Sequence, residues 1–363
     1  MAKQLQSDNI LFAAVVGLVL FGALMVFSAS AVLASDNYHS SYYFLWRQLA
    51  WAVVGLVAVL VMMQFDYRRL AKPMIVFPAL ALQFILLVAV LFVDRSHNTH
   101  RWFHVGPVSF QPSELAKIVV TVFLAFFLDL RKGEVNDCKH TLAPIALITG
   151  IMGLLVLAEP DLGTTLALGL VVVAMLYAAG LHLRYFALAG LFALPGVYWE
   201  IFHSTYRHNR ILAFLNPYAD PLGKGFQILQ SYIAVGTGGI TGVGLMESKQ
   251  KLFYLPEPQT DFIFAVVGEE LGLLGALAIV TVFALILYRG LRASVGCPDD
   301  FGRLLALGLT VMIVGQALVN MSVVLGLLPT KGIPLPFVSY GGSSMFVNLV
   351  AVGILLNITQ RTS

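Results

Sequence analysis

Ten long apolar segments constrain the fold of this chain more than any other feature of its sequence. They are bounded by Gly, Pro and charged clusters and lie at 9–34, 44–64, 72–93, 113–130, 142–158, 162–180, 183–203, 261–288, 303–328 and 341–359. A helix needs about 20 apolar residues to cross the hydrocarbon core of a membrane. The segments lack the strict alternation of a transmembrane β-barrel. The sequence therefore predicts an all-α, polytopic integral membrane protein with about ten transmembrane helices.

The composition excludes a water-soluble fold. Hydrophobic residues make up 59% of the 363 positions and charged residues 11%, whereas an average soluble domain has roughly 45–50% and about 25%. The formal net charge of +3 is small and spread over loops, which argues against nucleic acid as a partner. No internal repeat or soluble domain interrupts the pattern. We therefore expect a single integral membrane domain over residues 1–363, surrounded by membrane lipid.

The basic residues of the short connections predict the orientation of the chain. With the N-terminus inside, the cytoplasmic connections and the tail carry Arg68, Arg69, Lys72, Arg131, Lys132, Lys139, Arg184, Arg289, Arg292, Arg303 and Arg361. Because Lys and Arg are enriched on the cytoplasmic side of membrane proteins, both termini are predicted to be cytoplasmic. One long connection, about 204–260, then lies outside. It is too apolar for disorder, so we expect it to pack on the membrane surface.

Asp261 is the first candidate for chemistry, because it stands where a polar connection turns abruptly into an apolar segment, in PEPQTDFIFAVVGEELG. Two interpretations of this carboxylate are open. Asp is a preferred N-cap of helices, although Thr260 would cap this helix equally well. A carboxylate at the rim of the membrane is also partly desolvated, which raises its pKa toward the range that is useful for a general base.

Further charged residues fall within the apolar segments. Glu114 and Lys117 in QPSELAK are spaced i,i+3 at the outer end of the fourth segment, so they can form an ion pair on one helix face. This pair either locks helix packing or belongs to a site at the membrane rim. Glu269 and Glu270 lie two turns deeper than Asp261, where an ionised side chain needs a partner or a polar cavity. Structural pairing and catalysis both remain open for them.

Several cations on the predicted outer face break the positive-inside trend. Arg101, Arg210 and Lys331 lie in three different outer connections, and Asp161 stands between the fifth and sixth segments. Cations retained beside carboxylates on that face predict an anionic ligand, with Arg as a bidentate phosphate binder and Lys as a point charge.

Five motifs, in order along nearly the whole chain, resemble the SEDS family (shape, elongation, division and sporulation), which includes RodA and FtsW. They are RWFHVGPVSFQPSELAK, AEPDLGTT, YRHNRILAFLNPYADPLGKGFQILQS, FYLPEPQTDFIFAVVGEELG and LPTKGIPLPFVSYGGSS. The resemblance implies a peptidoglycan glycosyltransferase of the bacterial cytoplasmic membrane. Such an enzyme polymerises lipid II on the outer face, beside a class B penicillin-binding protein and other divisome proteins. Lys331 in PTKG is more similar to the FtsW branch, which implies work at the division septum.

The resemblance also implies roles for individual residues. The catalytic aspartate of the family falls on Asp261, its paired Glu and Lys on Glu114 and Lys117, and its loop arginine and aspartate on Arg101 and Asp161. With the outer cations added, the predicted substrate-binding residues are Arg101, Glu114, Lys117, Asp161, Arg210 and Lys331.

In the expected reaction Asp261 removes a proton from the acceptor sugar hydroxyl, which attacks the anomeric carbon of the donor with inversion. The leaving pyrophosphate would be stabilised by preorganised cations or by a divalent metal, Mg²⁺ or Mn²⁺, held by a carboxylate. The cations are Arg101, Arg210, Lys117 and Lys331, and the sequence does not choose among them or name the metal ligands.

A lipid II flippase is the alternative from another class of protein. Such a transporter would use Glu114, Lys117, Glu269 and Glu270 as a polar path through the bilayer. The candidate residues crowd at the outer rim instead, which favours the polymerase. A scaffold that only holds its transpeptidase partner would leave the outer charges without a purpose.

Overall fold

The computed structural model describes residues 7–94, 100–106, 108–203, 205–252, 254–330 and 332–361. Twelve α-helices account for most of these residues. They are α1 (Asn9–Tyr38), α2 (Tyr43–Gln64), α3 (Pro73–Val93), α4 (Pro112–Leu130), α5 (Ala143–Ala158), α6 (Leu162–Ala178), α7 (Leu183–His203), α8 (Thr205–Leu215), α9 (Phe226–Gly238), α10 (Ile263–Gly296), α11 (Asp300–Val324) and α12 (Gly342–Thr359). A hairpin of β1 (Phe103–Val105) and β2 (Val108–Phe110) lies between α3 and α4.

Ten of these helices coincide with the ten apolar segments, whereas α8 and α9 lie in the long connection. Among the described residues, seven helices are long and apolar enough to cross a membrane: α1, α2, α3, α5 with the π-helical turn Cys138–Leu142 before it, α10, α11 and α12. The shorter α6 and the first part of α7 are also apolar. Helix α4 spans 19 residues and carries three charged groups, Glu114, Lys117 and Asp129. The prediction of an all-α, polytopic membrane protein is confirmed.

Helices α4, α11 and α12 form the interior of the bundle. Helix α11 packs against α4, α6 and α10, and α12 packs along α2. Leu124, Leu305 and Leu355 in these three helices have no exposed surface. Peripheral helices bury one stripe and present large apolar side chains outward, such as Phe84 on α3 and Leu154 on α5. Apolar side chains both inside and outside are the pattern of a helix bundle surrounded by lipid.

Both termini lie at one end of the bundle. Asp8 caps α1 and accepts hydrogen bonds from the Arg289 guanidinium at 2.6 and 2.7 Å. The backbone N–H of Asp8 also donates to the Thr359 hydroxyl at the end of α12. Arg361 forms an ion pair with Asp66, which follows α2, at 2.9 Å. This end therefore holds the connections whose basic residues predicted the cytoplasmic face.

The long connection forms much of the opposite end. It contains α8, a 3-10 turn at Pro217–Ala219, α9 and a series of turns that lead to α10. Helix α9 packs against α10 and α11, and α8 packs against α7. We expected this connection to pack on the membrane surface, but α9 and the turns after it belong to the helix bundle itself.

Helix α10 is interrupted at Gly272, and the long connection fills the interruption. Gly272 has φ 64° and ψ −160°, and a Cβ atom on it would lie 2.4 Å from the backbone nitrogen of Gly242. The carbonyls of Glu269 and Glu270 accept hydrogen bonds from the N–H groups of residues 243 and 244, and the N–H groups of residues 273 and 274 donate to the carbonyls of residues 239 and 240. Irregular backbone inside a membrane bundle requires such protein partners.

A buried ion pair fixes the same connection to α10 and α1. The Nζ of Lys251 lies 2.7 Å from Glu270 Oε1, and both side chains are almost completely buried. The Ser28 hydroxyl of α1 donates to Glu270 at 2.7 Å and accepts from Lys251 at 3.1 Å. Glu269 accepts a hydrogen bond from the backbone N–H of Lys249 at 2.9 Å and one from the Ser248 hydroxyl. Structural pairing is therefore the role that the structure gives to both glutamates.

Removing one member of this ion pair should destabilise the fold more than removing both. Lys251→Met leaves Glu270 as an uncompensated buried charge, and the expected loss is about 3–5 kcal/mol. The double variant Lys251→Met with Glu270→Met replaces the pair with apolar side chains, so its stability should return toward that of the wild type. Denaturant unfolding in detergent micelles measures the three free energies of unfolding.

Lys249→Met is the matched control, because Lys249 is exposed in the same segment and should tolerate the change. A Lys251→Met protein as stable as this control, or a double variant that loses the sum of the two single losses, would contradict the assignment.

Candidate active site

Asp261 lies in the turn before α10. Phe262 occupies the N-cap position of α10 without a side-chain cap, and Thr260 donates its hydroxyl to the carbonyl of Glu257, so neither Thr260 nor Asp261 caps this helix. The Asp261 side chain is partly exposed. Gly332 approaches it closely: a Cβ atom at that position would lie 2.9 Å from Asp261 Oδ2. The capping interpretation of Asp261 is therefore wrong for this structure, and its side chain is partly exposed in the turn before α10.

The surroundings of Asp261 raise the pKa of its carboxyl from the ordinary 3.8 to about 7. Burial among protein atoms is the largest cause, and the negative charges of Glu257 and Asp161 add to it. The guanidinium groups of Arg210 and Arg101 act in the opposite direction. A carboxylate with this pKa can accept a proton at neutral pH and release it again, as a general base must.

Arg101 is held in one orientation at the edge of the site. Its Nε donates to the carbonyl of Glu159 at 2.8 Å, and its Nη2 donates to the carbonyl of Pro160. The backbone N–H groups of Arg101 and Trp102 both donate to Asp94 Oδ2 at 2.9 Å. The guanidinium thus joins the segment before the hairpin to the end of α5, and its positive charge is fixed in place before any ligand arrives.

Asp161 is the N-cap of α6. Its carboxylate accepts hydrogen bonds from the backbone N–H of Thr164 at 3.0 Å, the Thr164 hydroxyl at 2.8 Å and the Gln111 amide at 2.9 Å. The side chain is buried, and both of its oxygens are used by the protein. Its substrate-binding role stays a prediction, and its visible effect on the site is the negative charge that it adds near Asp261.

Glu114 and Lys117 form the ion pair that their spacing predicts. The Nζ of Lys117 lies 2.9 Å from Glu114 Oε2 in the first turns of α4, and Nζ also donates to Gln316 Oε1 of α11 at 2.6 Å. Both side chains are buried within the bundle. Because both are buried, direct contact with a substrate stays a prediction for both.

Arg210 extends from α8 toward the connection between α11 and α12. Its Nη1 donates to the carbonyl of Thr330 at 3.0 Å. Lys331 itself is outside the described residues. Arg210 and Arg101 thus act on Asp261 from two different connections, and their predicted role in binding an anionic ligand stays a prediction.

Glu159 is a candidate that the sequence analysis missed. It follows α5, is completely buried, and neither of its carboxylate oxygens has a hydrogen bond of normal geometry within the described part of the chain. Burial and the neighbouring charge of Asp161 raise the pKa of Glu159 from 4.5 to about 8, although the Ser113 hydroxyl and Arg101 favour the ionised form. The sequence signal was a second acidic residue in AEPDLGTT, two positions before Asp161.

The described residues do not bring three or more His, Cys, Asp or Glu side chains together as a metal site. Magnesium does not require such a cage, because it usually keeps several waters and binds one or two carboxylates together with substrate phosphates. Carboxylates at this end of the bundle offer oxygen ligands of this kind. A metal shared with the substrate therefore fits the residues present, whereas a closed protein site for one is not seen in the described ranges.

Taken together, the fold and the site define a polytopic membrane protein with a carboxyl of raised pKa and two hydrogen-bonded guanidinium groups at one end of its helix bundle. The model of a family described as cell cycle proteins, FtsW, RodA and SpoVE, matches residues 8–363. This chain belongs to that family.

Individual members of the family are similar to the chain over nearly its full length. A probable peptidoglycan glycosyltransferase FtsW of Geobacter sulfurreducens is 44% identical, covering 98% of this chain and 95% of the relative. Stage V sporulation protein E of Bacillus subtilis is 42% identical, covering 99% of this chain and 98% of the relative.

Two solved structures have the same fold. A chain from a peptidoglycan synthase complex that coordinates polymerization and crosslinking has a TM-score of 0.79 and 31% identity, covering 98% of both chains. The crystal structure of RodA from Thermus thermophilus has a TM-score of 0.72 and 28% identity, covering 99% of this chain and 98% of RodA.

Glu159→Gln should stabilise the protein at pH 8 and leave it unchanged below pH 4.5. Between the unfolded pKa of 4.5 and the folded pKa of about 8, only the unfolded form ionises, so the wild type loses stability as the pH rises. The neutral Gln side chain removes this loss, which is on the order of a few kcal/mol at pH 8. Thermal unfolding of the two proteins from pH 4 to pH 8 measures the difference.

Glu134→Gln at the other end of the bundle is the control. The carboxylate of Glu134 is exposed, so its replacement should give no such pH-dependent gain in stability. A difference between Glu159→Gln and wild type that stays constant across the pH range would show that Glu159 ionises normally in the folded protein.

Proposed function

We propose that this chain polymerises lipid II into glycan strands on the outer face of the bacterial cytoplasmic membrane during cell division. The chain is a peptidoglycan glycosyltransferase, as its family and its relatives named FtsW indicate. One observation is the main support for the proposed mechanism. Asp261 is a partly exposed carboxylate whose pKa is raised to about 7, within the influence of two guanidinium groups.

In the proposed reaction Asp261 accepts the proton of the acceptor sugar hydroxyl. The hydroxyl oxygen forms a bond to the anomeric carbon of the donor while the bond from that carbon to the lipid pyrophosphate breaks on the opposite face. The configuration of the anomeric carbon is inverted, and the proton passes from Asp261 to solvent before the next addition. A pKa near 7 suits both the acceptance and the release of this proton.

The leaving pyrophosphate gains negative charge as its bond to the sugar breaks. Arg101 and Arg210 lower the pKa of Asp261, so their positive charges act at the reacting centre. Because hydrogen bonds already fix both side chains, these charges need little reorganisation during the reaction. Lys331 follows directly after Thr330, whose carbonyl Arg210 contacts, so we propose that it adds a third cation.

A divalent metal, Mg²⁺ or Mn²⁺, is the second part of the proposal. A carboxylate on the pyrophosphate side of the site would hold it together with the substrate pyrophosphate, since both offer hard oxygen ligands. When bound, such an ion adds charge stabilisation of the pyrophosphate. Polymerisation that persists undiminished with an excess of chelator would contradict this part without affecting the role of Asp261.

The orientation follows from the two ends of the bundle. The end that holds both termini carries the basic short connections, so we propose that it faces the cytoplasm. Asp261 then faces outward, where lipid II carries its sugars. A class B penicillin-binding protein is the proposed partner, in line with the peptidoglycan synthase complex in which a chain of similar fold occurs. Other divisome proteins would act with them at the septum.

The flippase alternative loses its main support. It required Glu114, Lys117, Glu269 and Glu270 to line a polar path through the bilayer. Instead, Glu114 pairs with Lys117, and the carboxylates of Glu269 and Glu270 are occupied by the long connection. Buried charges that are satisfied by protein partners do not form an open path.

Asp261→Asn should lower the polymerisation rate by about 10²–10⁴-fold, because the amide keeps the shape of the side chain and cannot accept the proton. The assay uses the purified protein with its transpeptidase partner and labelled lipid II, with glycan strands resolved on a gel. Asp220→Asn is the matched control, since Asp220 is exposed in the same long connection and its carboxylate accepts hydrogen bonds from nearby backbone N–H groups. An Asp261→Asn protein with near wild-type synthesis would exclude Asp261 as the base.

Glu257→Gln should move the acid limb of the pH–rate profile to lower pH. The negative charge of Glu257 raises the pKa of Asp261, so its removal lets Asp261 ionise at lower pH. The rate at neutral pH should be kept or rise slightly. Initial rates of polymerisation between pH 5 and pH 9 measure the limb, with the exposed Glu247→Gln as control. A limb that moves to higher pH would contradict the proposed electrostatics.

A further inference from the structure

Two buried carboxamides on α11 connect the Glu114–Lys117 pair to the turn that carries Asp261. Gln316 and Asn320 are spaced i,i+4, so they lie on one face of the helix. Each side chain is only 2% exposed. Neither residue takes part in the proposed reaction, although burying an amide in an apolar bundle is costly unless its hydrogen bonds are made.

Gln316 joins the ion pair to the connection between α11 and α12, whose described part at residues 332–340 we call the strap. Its Oε1 accepts a hydrogen bond from Lys117 Nζ at 2.6 Å, and its Nε2 donates to the carbonyl of Pro334 in the strap at 2.8 Å. Both polar atoms of Gln316 are therefore used. The buried charge of Lys117 and the backbone of the strap are therefore joined through the two polar atoms of one carboxamide.

Asn320 joins the strap to Asp261. Its Nδ2 donates to the carbonyl of Ile333 at 2.7 Å and to the carbonyl of Asp261 itself at 2.9 Å. Because both partners are carbonyls, only the NH₂ group of the amide can face them, which fixes the orientation of the side chain. Its Oδ1 is buried without a hydrogen-bond partner in the described part of the chain. Such an orphaned acceptor costs stability, so the benefit of Asn320 lies in the geometry of its two donated bonds.

The strap and the turn before α10 are also joined at a second place. The Ser339 hydroxyl donates to the carbonyl of Thr260 at 2.6 Å, and the N–H of Tyr340 donates to the carbonyl of Gln259 at 2.8 Å. Within the strap, the buried Phe337 has φ 66°, a conformation that a bulky residue keeps only when its surroundings hold it there. The strap and the backbone around Asp261 are thus one hydrogen-bonded unit.

We propose that Gln316 and Asn320 are positioning residues for the general base: they transmit the fixed position of the buried Glu114–Lys117 pair, through the strap, to the backbone of Asp261. This inference rests on the proposed role of Asp261. It also gives the ion pair a function that needs no contact with the substrate. A shift of about 1 Å in a reacting group can cost roughly 10²-fold in rate, so such positioning has a measurable effect.

Two substitutions of Asn320 test the inference by activity. Asn320→Leu removes both donated hydrogen bonds with a side chain of similar size. Asn320→Asp keeps the shape of the side chain but replaces the NH₂ group with an oxygen. Each should lower kcat by roughly 10²-fold with little change in the KM for lipid II, because the base is displaced and the substrate contacts remain. Gln316→Leu should lower kcat less. The Gln316→Leu and Asn320→Leu losses should combine less than multiplicatively, since both act through the strap.

Asn357→Leu is the matched control for the loss of a buried amide. Asn357 is also buried and bridges two backbone groups, accepting from the N–H of Tyr67 and donating to the carbonyl of Met63, at the other end of the bundle. Its substitution should lower the thermal stability about as much as Asn320→Leu and leave kcat near the wild-type value.

A second measurement does not depend on activity. Nitroxide labels are placed at Tyr254 and Leu318, two exposed positions in the turns before Asp261 and on α11, in a protein with both native cysteines replaced by serine. The distribution of distances between the labels, measured by pulsed EPR, should broaden in Asn320→Leu and remain narrow in Asn357→Leu.

The two measurements separate the inference from the proposed function. Broadening in Asn320→Leu together with a wild-type protein that makes no glycan would overturn the function and keep the structural link. An Asn320→Leu protein with a near wild-type rate, or with an unchanged distance distribution, would overturn the positioning role. A raised KM with unchanged kcat would do the same, because it would place Asn320 in substrate binding.

Discussion

Charges inside an apolar bundle must find partners, and this requirement joins the long connection and the strap to the helices at the end of the bundle that holds Asp261. Removing an ion from water costs several kcal/mol unless an opposite charge and hydrogen bonds replace the water. Glu270 meets this requirement with Lys251, a residue of the long connection, and Glu114 meets it with Lys117 and an amide from α11. Each of these two sets of contacts joins separate segments of the chain. The charged groups therefore determine where the long connection and the strap lie relative to the helices.

Glu159 and Asp261 have no opposite charge bonded to them among the described residues, and the pKa of each is raised. Glu159 is fully buried beside another acid, which raises its pKa to about 8 and keeps its carboxyl mostly neutral at physiological pH. Asp261 is partly open, and two guanidinium groups oppose the effect of burial on its pKa. One neutral acid and one carboxylate that exchanges its proton near pH 7 thus lie at the same end of the bundle. Of these two groups, Asp261 is the accessible one, and its pKa near 7 suits proton transfer from a sugar hydroxyl.

The sequence predicted the parts of this arrangement that depend on local patterns. Helix lengths follow from runs of apolar residues, and the Glu114–Lys117 pair follows from i,i+3 spacing on one helix. The interruption of α10 at Gly272 could not be predicted, because it is stable only when the backbone of residues 239–244 fills it. Lys251 looks like an ordinary loop lysine until folding brings it to α10. The raised pKa of Glu159 likewise depends on neighbours from other helices. Nothing in the described residues tests the predicted role of the outer cations in ligand binding.

The central claim is that Asp261 receives the proton of the acceptor hydroxyl while the donor pyrophosphate leaves on the side of the arginines. The most direct test is a structure of the Asp261→Asn protein with its transpeptidase partner and bound lipid II. We expect the acceptor hydroxyl at about 2.6–3.2 Å from the side chain at position 261. We also expect the donor pyrophosphate near Arg101 and Arg210, on the opposite face of the anomeric carbon. A pyrophosphate bound against position 261, with the acceptor hydroxyl held by another residue, would contradict the account.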